Sequence, residues 1–202
     1  MQLVLATKNR DKIREIKNLL SDLPIRILTL EDFPDFPEIK ETGKTLKANA
    51  VLKAKGIAQF AGMVAVADDS GLEVDALKGK PGVYSSRYAG DDCTYDDNNR
   101  KLLEELEEVP EEKRTARFRA VIAIAWDKSK IDTVEGRADG VIMAQKQGKS
   151  GFGYDPIFYY SAAQKTFAEM TLEEKNSISH RGKALIKAKG LLIRRLKEMS
   201  QV

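Results

Sequence analysis

The stretch VAVADDSGLEVDAL, residues Val64–Leu77, sets the architecture of this sequence. Its first four residues are small or apolar, and they predict a short buried strand. Asp68 and Asp69 follow directly, and adjacent residues at a strand end point to opposite sides. Two neighbouring carboxylates repel each other unless a cation lies beside them. The stretch therefore predicts a strand that ends at a charged site, and a turn from Asp68 to Gly71 is the structural alternative.

Segments on both sides of this strand alternate between strand and helix patterns. Early strand–helix units and later consecutive strands favour an α/β fold with a mixed central sheet and flanking helices. No internal repeat or shift in composition divides the chain, which predicts a single domain over residues 1–202. The predicted strands lie at 2–7, 25–30, 64–67, 116–126 and 131–143, the predicted helices lie at 10–23, 44–62, 94–109 and 179–200, and a glycine-rich loop leads into an aromatic strand within 148–160.

The composition is that of an ordinary globular chain, with 42% hydrophobic and 32% charged residues among 202. A net charge of +3 is too small to indicate a duplex-binding surface by itself, but it suits small anionic ligands such as nucleotides. The one cysteine, Cys93, excludes an intramolecular disulfide and a cysteine-rich zinc site. The apolar run after Met1 is too short for a signal peptide, and no run reaches membrane-spanning length. We therefore expect a cytoplasmic protein that binds neither nucleic acid nor a membrane.

The stretch ATKNRDK, residues Ala6–Lys12, contains a strand-to-helix turn with hydroxyl, amide and cationic groups. Backbone N–H groups at a helix start bind anions, and Lys8, Arg10 and Lys12 add positive charge. The structural alternative is an ordinary helix N-cap with solvated lysines. The stretch lacks the glycines of a Walker A loop, so a P-loop mechanism is not indicated.

The stretch SGFGYDP, residues Ser150–Pro156, combines glycines with aromatic residues. Glycines on both sides of Phe152 allow the backbone to approach a ligand closely. The rings of Phe152 and Tyr154 offer faces on which a nucleotide base can stack. A hairpin turn whose aromatic residues lie in the core is the structural alternative.

The stretch EEKNSISHRGKA, residues Glu173–Ala184, contains the only histidine of the chain. That residue, His180, lies beside Arg181 and five residues after Lys175. A lone histidine at a helix start usually has a structural role. Three donor side chains so near one helix start nevertheless suit a ligand that is rich in hydrogen-bond acceptors.

Taken together, these stretches resemble the inosine triphosphate pyrophosphatase family, whose members are also called XTP/dITP diphosphatases. Each motif is weak alone, but their order and spacing are specific, and the resemblance covers nearly the whole chain. The motifs that carry it are Thr7-x-Asn9-x-x-Lys12, ETGKTLKANAVLKA (Glu41–Ala54), ADDSGLEVDAL (Ala67–Leu77), PGVYSSRYAG (Pro81–Gly90), GFGYDPIF (Gly151–Phe158) and EEKNSISHRGKAL (Glu173–Leu185).

The resemblance implies a mixed-sheet α/β fold with two lobes around a central nucleotide-binding cleft, present as a homodimer. It implies Mg²⁺-dependent hydrolysis of a nucleoside triphosphate to the monophosphate and pyrophosphate. The preferred substrates would be ITP, dITP and XTP, in place of ATP and GTP. The role would be to remove deaminated purines from the nucleotide pool.

Family roles transfer to matching positions in this chain. The resemblance makes Asp69 the proton acceptor for the attacking water and a metal ligand, with Ser70 in contact with substrate. Several relatives carry Glu-Glu where this chain has Lys40-Glu41, and others place the metal glutamate in a Pro-Glu segment, so the second metal carboxylate is Glu41 or Glu38. The implied substrate-binding residues are Thr7, Lys8, Asn9, Arg10, Asp11, Lys12 and Lys53 for the triphosphate, and Phe152, Gly153, Tyr154, Asp155, Lys175, His180 and Arg181 for the base.

Two rival functions are weighed against this one. A Maf-like nucleotide pyrophosphatase shares the general architecture, but the intact GFGYDP and SHR segments argue against it. A nucleotide- or RNA-binding module without catalysis would use the basic final helix as its contact surface. That charge run is more simply a solvated helix face, because Leu185, Leu192 and Leu196 form an apolar stripe on the same helix.

Overall fold

A computed structural model describes residues 1–37 and 39–200, and within them strands and helices follow one another as the sequence pattern predicts. The strands are β1 (Gln2–Leu5), β2 (Arg26–Leu28), β3 (Val64–Val74), β4 (Thr115–Ala125), β5 (Ile131–Ile142), β6 (Phe158–Tyr160) and β7 (Lys165–Thr166). The helices are α1 (Arg10–Leu19), α2 (Leu46–Ala61), α3 (Tyr95–Glu105), α4 (Leu172–Ile178) and α5 (His180–Met199). Short 3₁₀ helices occupy Leu30–Asp32, Asp75–Leu77, Gly82–Arg87, Glu111–Lys113 and Phe167–Glu169.

The seven strands form one mixed sheet in the order β2-β1-β3-β4-β5-β6-β7. Strand β1 is parallel to both of its neighbours, with Leu3 opposite Ile27 of β2 and opposite Val64 of β3. Strand β6 is antiparallel to β5 and to β7. The predicted α/β class with a mixed central sheet is therefore confirmed.

The chain divides into two compact units, and each has its own apolar core. The first unit comprises the described residues of 1–69, 120–136 and 181–200, and the second comprises 70–119 and 137–180. The core of the first unit includes Leu3, Leu5, Ile16, Leu20, Val66, Ile122, Ile124, Leu185 and Leu192. The core of the second unit includes Leu72, Val74, Leu102, Leu106, Phe118, Ile157, Phe158 and Phe167.

Strand β3 is longer than the sequence predicts. The expectation that a strand ends at Asp68 is wrong, and so is the alternative of a turn, because Val64–Val74 is one strand of 11 residues. Gly71 allows the Gly82 backbone to approach β3 closely, since a Cβ at residue 71 would lie 2.3 Å from the Gly82 carbonyl oxygen. The Leu72 N–H next to it donates to Ser85 Oγ at 2.9 Å. The Ser-Gly pair therefore serves a close backbone approach and not a chain reversal.

Two helices show clear capping interactions. Helix α2 begins after Thr45, whose hydroxyl accepts the Ala48 N–H, and it ends at Gly62 with a left-handed φ of 64°. Helix α4 begins with a capping box formed by Thr171 and Glu174. Within the described residues, no helix has the length and apolar character needed to cross a membrane.

The final helix, α5, faces the core of the first unit with an apolar stripe that includes Leu185 and Leu192. Two of its lysines contact other segments of the first unit. Lys187 donates to the Glu135 carbonyl oxygen at 2.7 Å, and Lys189 pairs with Asp22 at 2.5 Å. The basic residues of α5 thus belong to the outer face of a core helix, which agrees with the simpler of the two interpretations of this charge run.

Candidate active site

The first charged cluster forms where α1 meets strand β3. Lys12, in the first turns of α1, extends its ammonium to within 2.7 Å of Asp68 Oδ2. Asp68 is 1% exposed, so its carboxylate is almost fully removed from water. A buried carboxylate is stable only when it is paired and hydrogen-bonded, and Lys12 supplies one such partner.

Arg181 supplies a second partner for Asp68. Its Nε lies 3.3 Å from Asp68 Oδ2, and its Nη1 lies 2.5 Å from Glu15 Oε2. All three side chains are buried. Asp68 therefore acts as a structural acceptor for two cations.

Asp69 has a different cation. Lys53 Nζ, from α2, lies 2.6 Å from Asp69 Oδ1 and 2.7 Å from Glu41 Oε1, and it also donates to the Asp68 carbonyl oxygen at 3.0 Å. One ammonium thus gathers two carboxylates and the strand backbone. As expected for adjacent strand residues, the carboxylates of Asp68 and Asp69 lie beside different cations, Lys12 and Arg181 for Asp68 and Lys53 for Asp69.

These partners shift the pKa values of the two aspartates in opposite directions. Burial acts to raise the pKa of Asp68, but Arg181 and Lys12 outweigh it and hold that pKa well below its ordinary value. Burial also raises the pKa of Asp69, and here Lys53 and Lys12 only partly oppose it, so the pKa stays above its ordinary value. Adjacent acids whose pKa values are driven apart are typical of sites that divide structural and proton-accepting roles.

The turn before α1 combines an N-cap with exposed cations. Asn9 Oδ1 accepts the Lys12 N–H at 3.0 Å, and Thr7 Oγ1 accepts the Asn9 N–H at 3.2 Å. The side chains of Lys8 and Arg10 are exposed, and Asp11 is partly exposed in the first helical turn. The N-cap interpretation of Asn9 is therefore confirmed. Lys12 is not a solvated lysine, because Asp68 binds it.

Asp69 and Glu41 are the described carboxylates that could hold a divalent metal. Both already converge on one cation, and Mg²⁺ prefers oxygen ligands, taking one or two carboxylates together with water and phosphate oxygens. Residues 1–37 and 39–200 contain no cluster of three or more His, Cys, Asp or Glu side chains that could enclose a metal. The donor set thus fits a Mg²⁺ ion that completes its coordination with substrate. Glu38, the alternative ligand, lies outside the described residues.

The second cluster lies in the second unit and centres on Asp155. Lys175 Nζ lies 2.6 Å from Asp155 Oδ2, and both side chains are at most 4% exposed. The same carboxylate oxygen accepts the Phe152 N–H at 2.8 Å. The Lys175 ammonium also lies 4.7 Å from the centre of the Phe152 ring. Asp155 therefore fixes a lysine and an aromatic ring side by side.

The loop that carries Phe152 requires its glycines. Gly151 has φ +73°, and a Cβ there would lie 2.1 Å from Asp155 Oδ2. Gly153 has φ +62°. Tyr154 points away from solvent, where its hydroxyl donates to the Ser85 carbonyl oxygen at 2.9 Å. Of the two aromatic residues predicted to offer a stacking face, Phe152 remains partly exposed and Tyr154 is part of the core.

His180 and Ser70 complete the predicted residues of the second unit. The His180 imidazole is buried and stacks on Phe118, with ring centres 4.5 Å apart and planes 10° from parallel. Ser70 is partly exposed on β3, next to Asp69 in the chain. The structure thus brings Lys175 together with Phe152 and Asp155, whereas Arg181 contacts the carboxylates of the first unit.

Two buried polar residues that support these clusters lie outside the sequence motifs described above. Glu15 holds Arg181, and Asn99 of α3 donates to the Gly153 carbonyl oxygen at 2.9 Å. Each occupies a helix position at apolar spacing, Asn99 three residues before the buried Leu102. A polar residue on the apolar face of a predicted helix is the signal that could have identified both.

Comparison with known proteins gives one consistent family. The family profile described as the Ham1 family matches residues 3–191. A protein of Desulforamulus reducens named dITP/XTP pyrophosphatase is 53% identical over 194 residues, which cover 96% of each chain. A protein of the same name from Geobacter sulfurreducens is 54% identical over 184 residues, covering 91% of this chain and 92% of its own.

Solved structures of Ham1 proteins have the same fold as this chain. A HAM1 protein from Coxiella burnetii superposes with a TM-score of 0.88 at 42% identity, covering 96% of this chain and 99% of that one. The Ham1 protein of Staphylococcus aureus superposes with a TM-score of 0.85 at 38% identity, covering 96% and 100%.

Proposed function

The chain belongs to the Ham1 family, and from that membership we propose that it is a Mg²⁺-dependent nucleoside triphosphate pyrophosphatase. Its substrates are dITP, XTP and ITP, and its products are the nucleoside monophosphate and pyrophosphate. The observation that carries this proposal is the 53% identity, over 96% of both chains, with a relative named dITP/XTP pyrophosphatase. The function removes deaminated purines before polymerases can use them.

Asp69 is the proton acceptor in this proposal. Burial raises its pKa, which makes the carboxylate a better base than an exposed aspartate. From β3 it accepts a proton from a water molecule that attacks the α-phosphorus in line with the departing pyrophosphate. Asp68 cannot share that role, since Lys12 and Arg181 hold its pKa low.

Asp69 and Glu41 would together hold Mg²⁺. When bound, the ion neutralises phosphate charge and assists deprotonation of water. Lys53 is held between these two carboxylates, and the exposed Lys8 and Arg10 lie at the α1 N-terminus. These cations attract the polyphosphate and balance the charge of the leaving pyrophosphate.

The cluster around Asp155 would select the base. Inosine and xanthine carry a carbonyl acceptor at the 6-position, which suits the donor Lys175, with His180 as a further predicted donor of the same unit. Phe152 offers a ring face for stacking, and Asp155 keeps Lys175 and Phe152 in place. Adenine carries an amino group at the 6-position, so it would leave a buried donor unpaired, a mismatch that can discriminate by about 10⁴-fold.

The direct test is a pyrophosphate-release assay over ITP, dITP, XTP, ATP, dATP and GTP, with Mg²⁺ and with excess chelator. We expect rapid pyrophosphate release from the first three nucleotides, slow release from the others, and loss of activity in chelator. Release of orthophosphate, full activity in chelator, or equal rates for ATP and ITP would contradict the proposal.

Two expectations about the whole protein stay predictions. The homodimer follows from the family resemblance and is testable by sedimentation equilibrium of the purified protein. The cytoplasmic location is testable by cell fractionation.

A further inference from the structure

The direction of the Phe152 ring is not set by its own backbone. Glycines flank it on both sides, with φ values of +73° at Gly151 and +62° at Gly153, and glycine moves readily among conformations that other residues avoid. Contacts from other elements must therefore fix this ring. Lys175 and Asp155 supply contacts from one direction, as described above.

Helix α3 supplies contacts of its own. Tyr95 and Asn99 are four residues apart, so both lie on the same face of α3. The Tyr95 ring centre lies 5.9 Å from the Phe152 ring centre, with the planes tilted by 41°. Asn99 Nδ2 donates to the carbonyl oxygen of the next residue, Gly153, at 2.9 Å. One helix face thus contacts both the ring and the Gly153 peptide beside it.

The surroundings of Asn99 indicate that its Nδ2–H donor is the reason for an asparagine at this position. Its side chain is 1% exposed, and its Oδ1 has no hydrogen-bond partner among the residues that the structure describes. Burying an unpaired amide oxygen is unfavourable, and a leucine of similar size would avoid that cost. What asparagine adds at this position is the N–H that holds the Gly153 carbonyl.

We propose that Tyr95 and Asn99 are positioning residues that set the Phe152 ring for stacking on the purine base. This inference rests on the proposed function, in which Phe152 contacts the base. Neither residue needs to touch substrate. Their effect is on base binding, and they leave the contacts to the triphosphate unchanged.

The test compares a nucleotide with a ligand that has no base. KM for dITP and the inhibition constant of inorganic tripolyphosphate are measured for Tyr95→Ala and Asn99→Leu. We expect KM for dITP to rise about tenfold in each variant, the change that loss of one such contact produces. We expect the tripolyphosphate constant to stay within about twofold of wild type, since it depends on residues of the first unit.

Two control variants separate positioning from general damage. Tyr95→Phe keeps the ring and should restore the KM of wild type. Asn98→Leu removes a buried neighbour that donates to the Ser86 carbonyl and accepts the Ala89 N–H, at 3.2 and 2.8 Å, and makes neither contact with the Phe152 loop. Asn98→Leu should lower the melting temperature, but it should not raise KM for dITP relative to the tripolyphosphate inhibition constant.

Three outcomes would overturn the inference. In the first, KM for dITP is unchanged in both Tyr95→Ala and Asn99→Leu. In the second, KM for dITP and the tripolyphosphate inhibition constant rise together in both variants. In the third, Asn98→Leu also raises KM for dITP and leaves the tripolyphosphate constant unchanged. If wild type releases no pyrophosphate from dITP, the proposed function fails by itself. Calorimetric binding of dIMP to wild type and to the same variants then decides the positioning role: equal affinities would overturn it, and weaker binding by both test variants alone would support it.

Discussion

The Lys53–Asp69 pair and the Lys175–Asp155 pair share an ion-pair distance of 2.6 Å, but their surroundings differ. The first pair belongs to a cluster that includes the carboxylates of Glu15, Glu41, Asp68 and Asp69 and the cations of Lys12, Lys53 and Arg181. The second pair consists of one acid and one base, with the Phe152 and Phe167 rings near the ammonium.

The two surroundings suit two kinds of chemistry. The first cluster gathers several carboxylates, and Mg²⁺, the ion proposed to bind there, prefers carboxylate oxygens. An ion pair beside aromatic rings fixes the direction of a donor and of a ring. We therefore propose that the same lysine–aspartate contact serves charge neutralisation in one unit and orientation in the other.

The largest expected effect is on the free energy of unfolding when each cluster loses one cation. Arg181→Met leaves the buried Glu15 and Asp68 without their guanidinium, and Lys175→Met removes the ammonium that pairs with Asp155. Removing one partner of a buried pair costs about 3–5 kcal/mol, so we expect Arg181→Met to lower the free energy of unfolding by at least that much and by more than Lys175→Met. Urea unfolding followed by circular dichroism measures both.

The control for that comparison is Arg137→Met, which breaks an exposed pair with Asp139, whose side chains are 55% and 64% exposed. Its cost should stay below about 1 kcal/mol. Equal costs for Arg181→Met and Arg137→Met would mean that the first cluster is not a buried network.

The next effect concerns catalysis. Asp69→Asn keeps the shape of the side chain but removes its charge and its capacity to accept a proton. We expect kcat for dITP to fall at least about a hundredfold while the fold is retained, because general-base catalysis contributes on that order. Pyrophosphate release measures the rate, circular dichroism checks the fold, and the exposed Asp139→Asn is the matched control. Turnover close to wild type in Asp69→Asn would refute the role of Asp69.

A smaller effect distinguishes Lys53 from Lys175, since we expect the first variant to change kcat and the second to change KM. Lys53→Met should lower kcat about tenfold for every nucleotide, because it removes charge from the phosphate-binding cluster. Lys175→Met should raise KM for dITP about tenfold and leave the tripolyphosphate inhibition constant unchanged, because it removes a donor to the base. If both variants changed the same constant, the division between charge neutralisation and orientation would be wrong.

The smallest expected effect concerns the pKa of Asp127, a carboxylate outside both clusters that serves as a reference. Asp127, between β4 and β5, accepts N–H groups of Lys130 and Ser129 at 2.8 and 2.7 Å, and these bonds lower the pKa of Asp127 from 3.8 to about 2. Since the folded pKa is the lower one, its stabilisation is complete above about pH 4 and is lost as the pH falls toward 2. A carboxyl-carbon NMR titration should show a midpoint near the lower value, and a midpoint near 3.8 would contradict the backbone contacts.

Local sequence patterns were sufficient for most of the secondary structure. Helix α2 between Thr45 and Gly62, and helix α4 with its capping box at Thr171, follow from signals that act within one turn. The strand through Asp68 and Asp69 could not be predicted in the same way. Its carboxylates are paired with cations from α1, α2 and α5, and Gly82 approaches it closely; Arg181 of α5 lies 113 positions from Asp68 in the chain.

The candidate site divides along the same line. Chemistry-bearing residue types in a family-specific order identified Asp69, Lys53, Phe152 and Lys175 without any coordinates. The partners that tune them were not visible in that order: Glu15 lies 166 positions from Arg181, and Asn99 lies 54 positions from Gly153.

The sequence by itself determined which elements form, which family the chain resembles and which side chains carry charge to the site. Only the tertiary structure decided which carboxylate is held by which cation, and therefore why two adjacent aspartates have pKa values shifted in opposite directions. The physical reason is range: backbone propensities and caps act over a few residues, whereas burial and Coulomb interactions depend on distances that exist only after distant segments pack together.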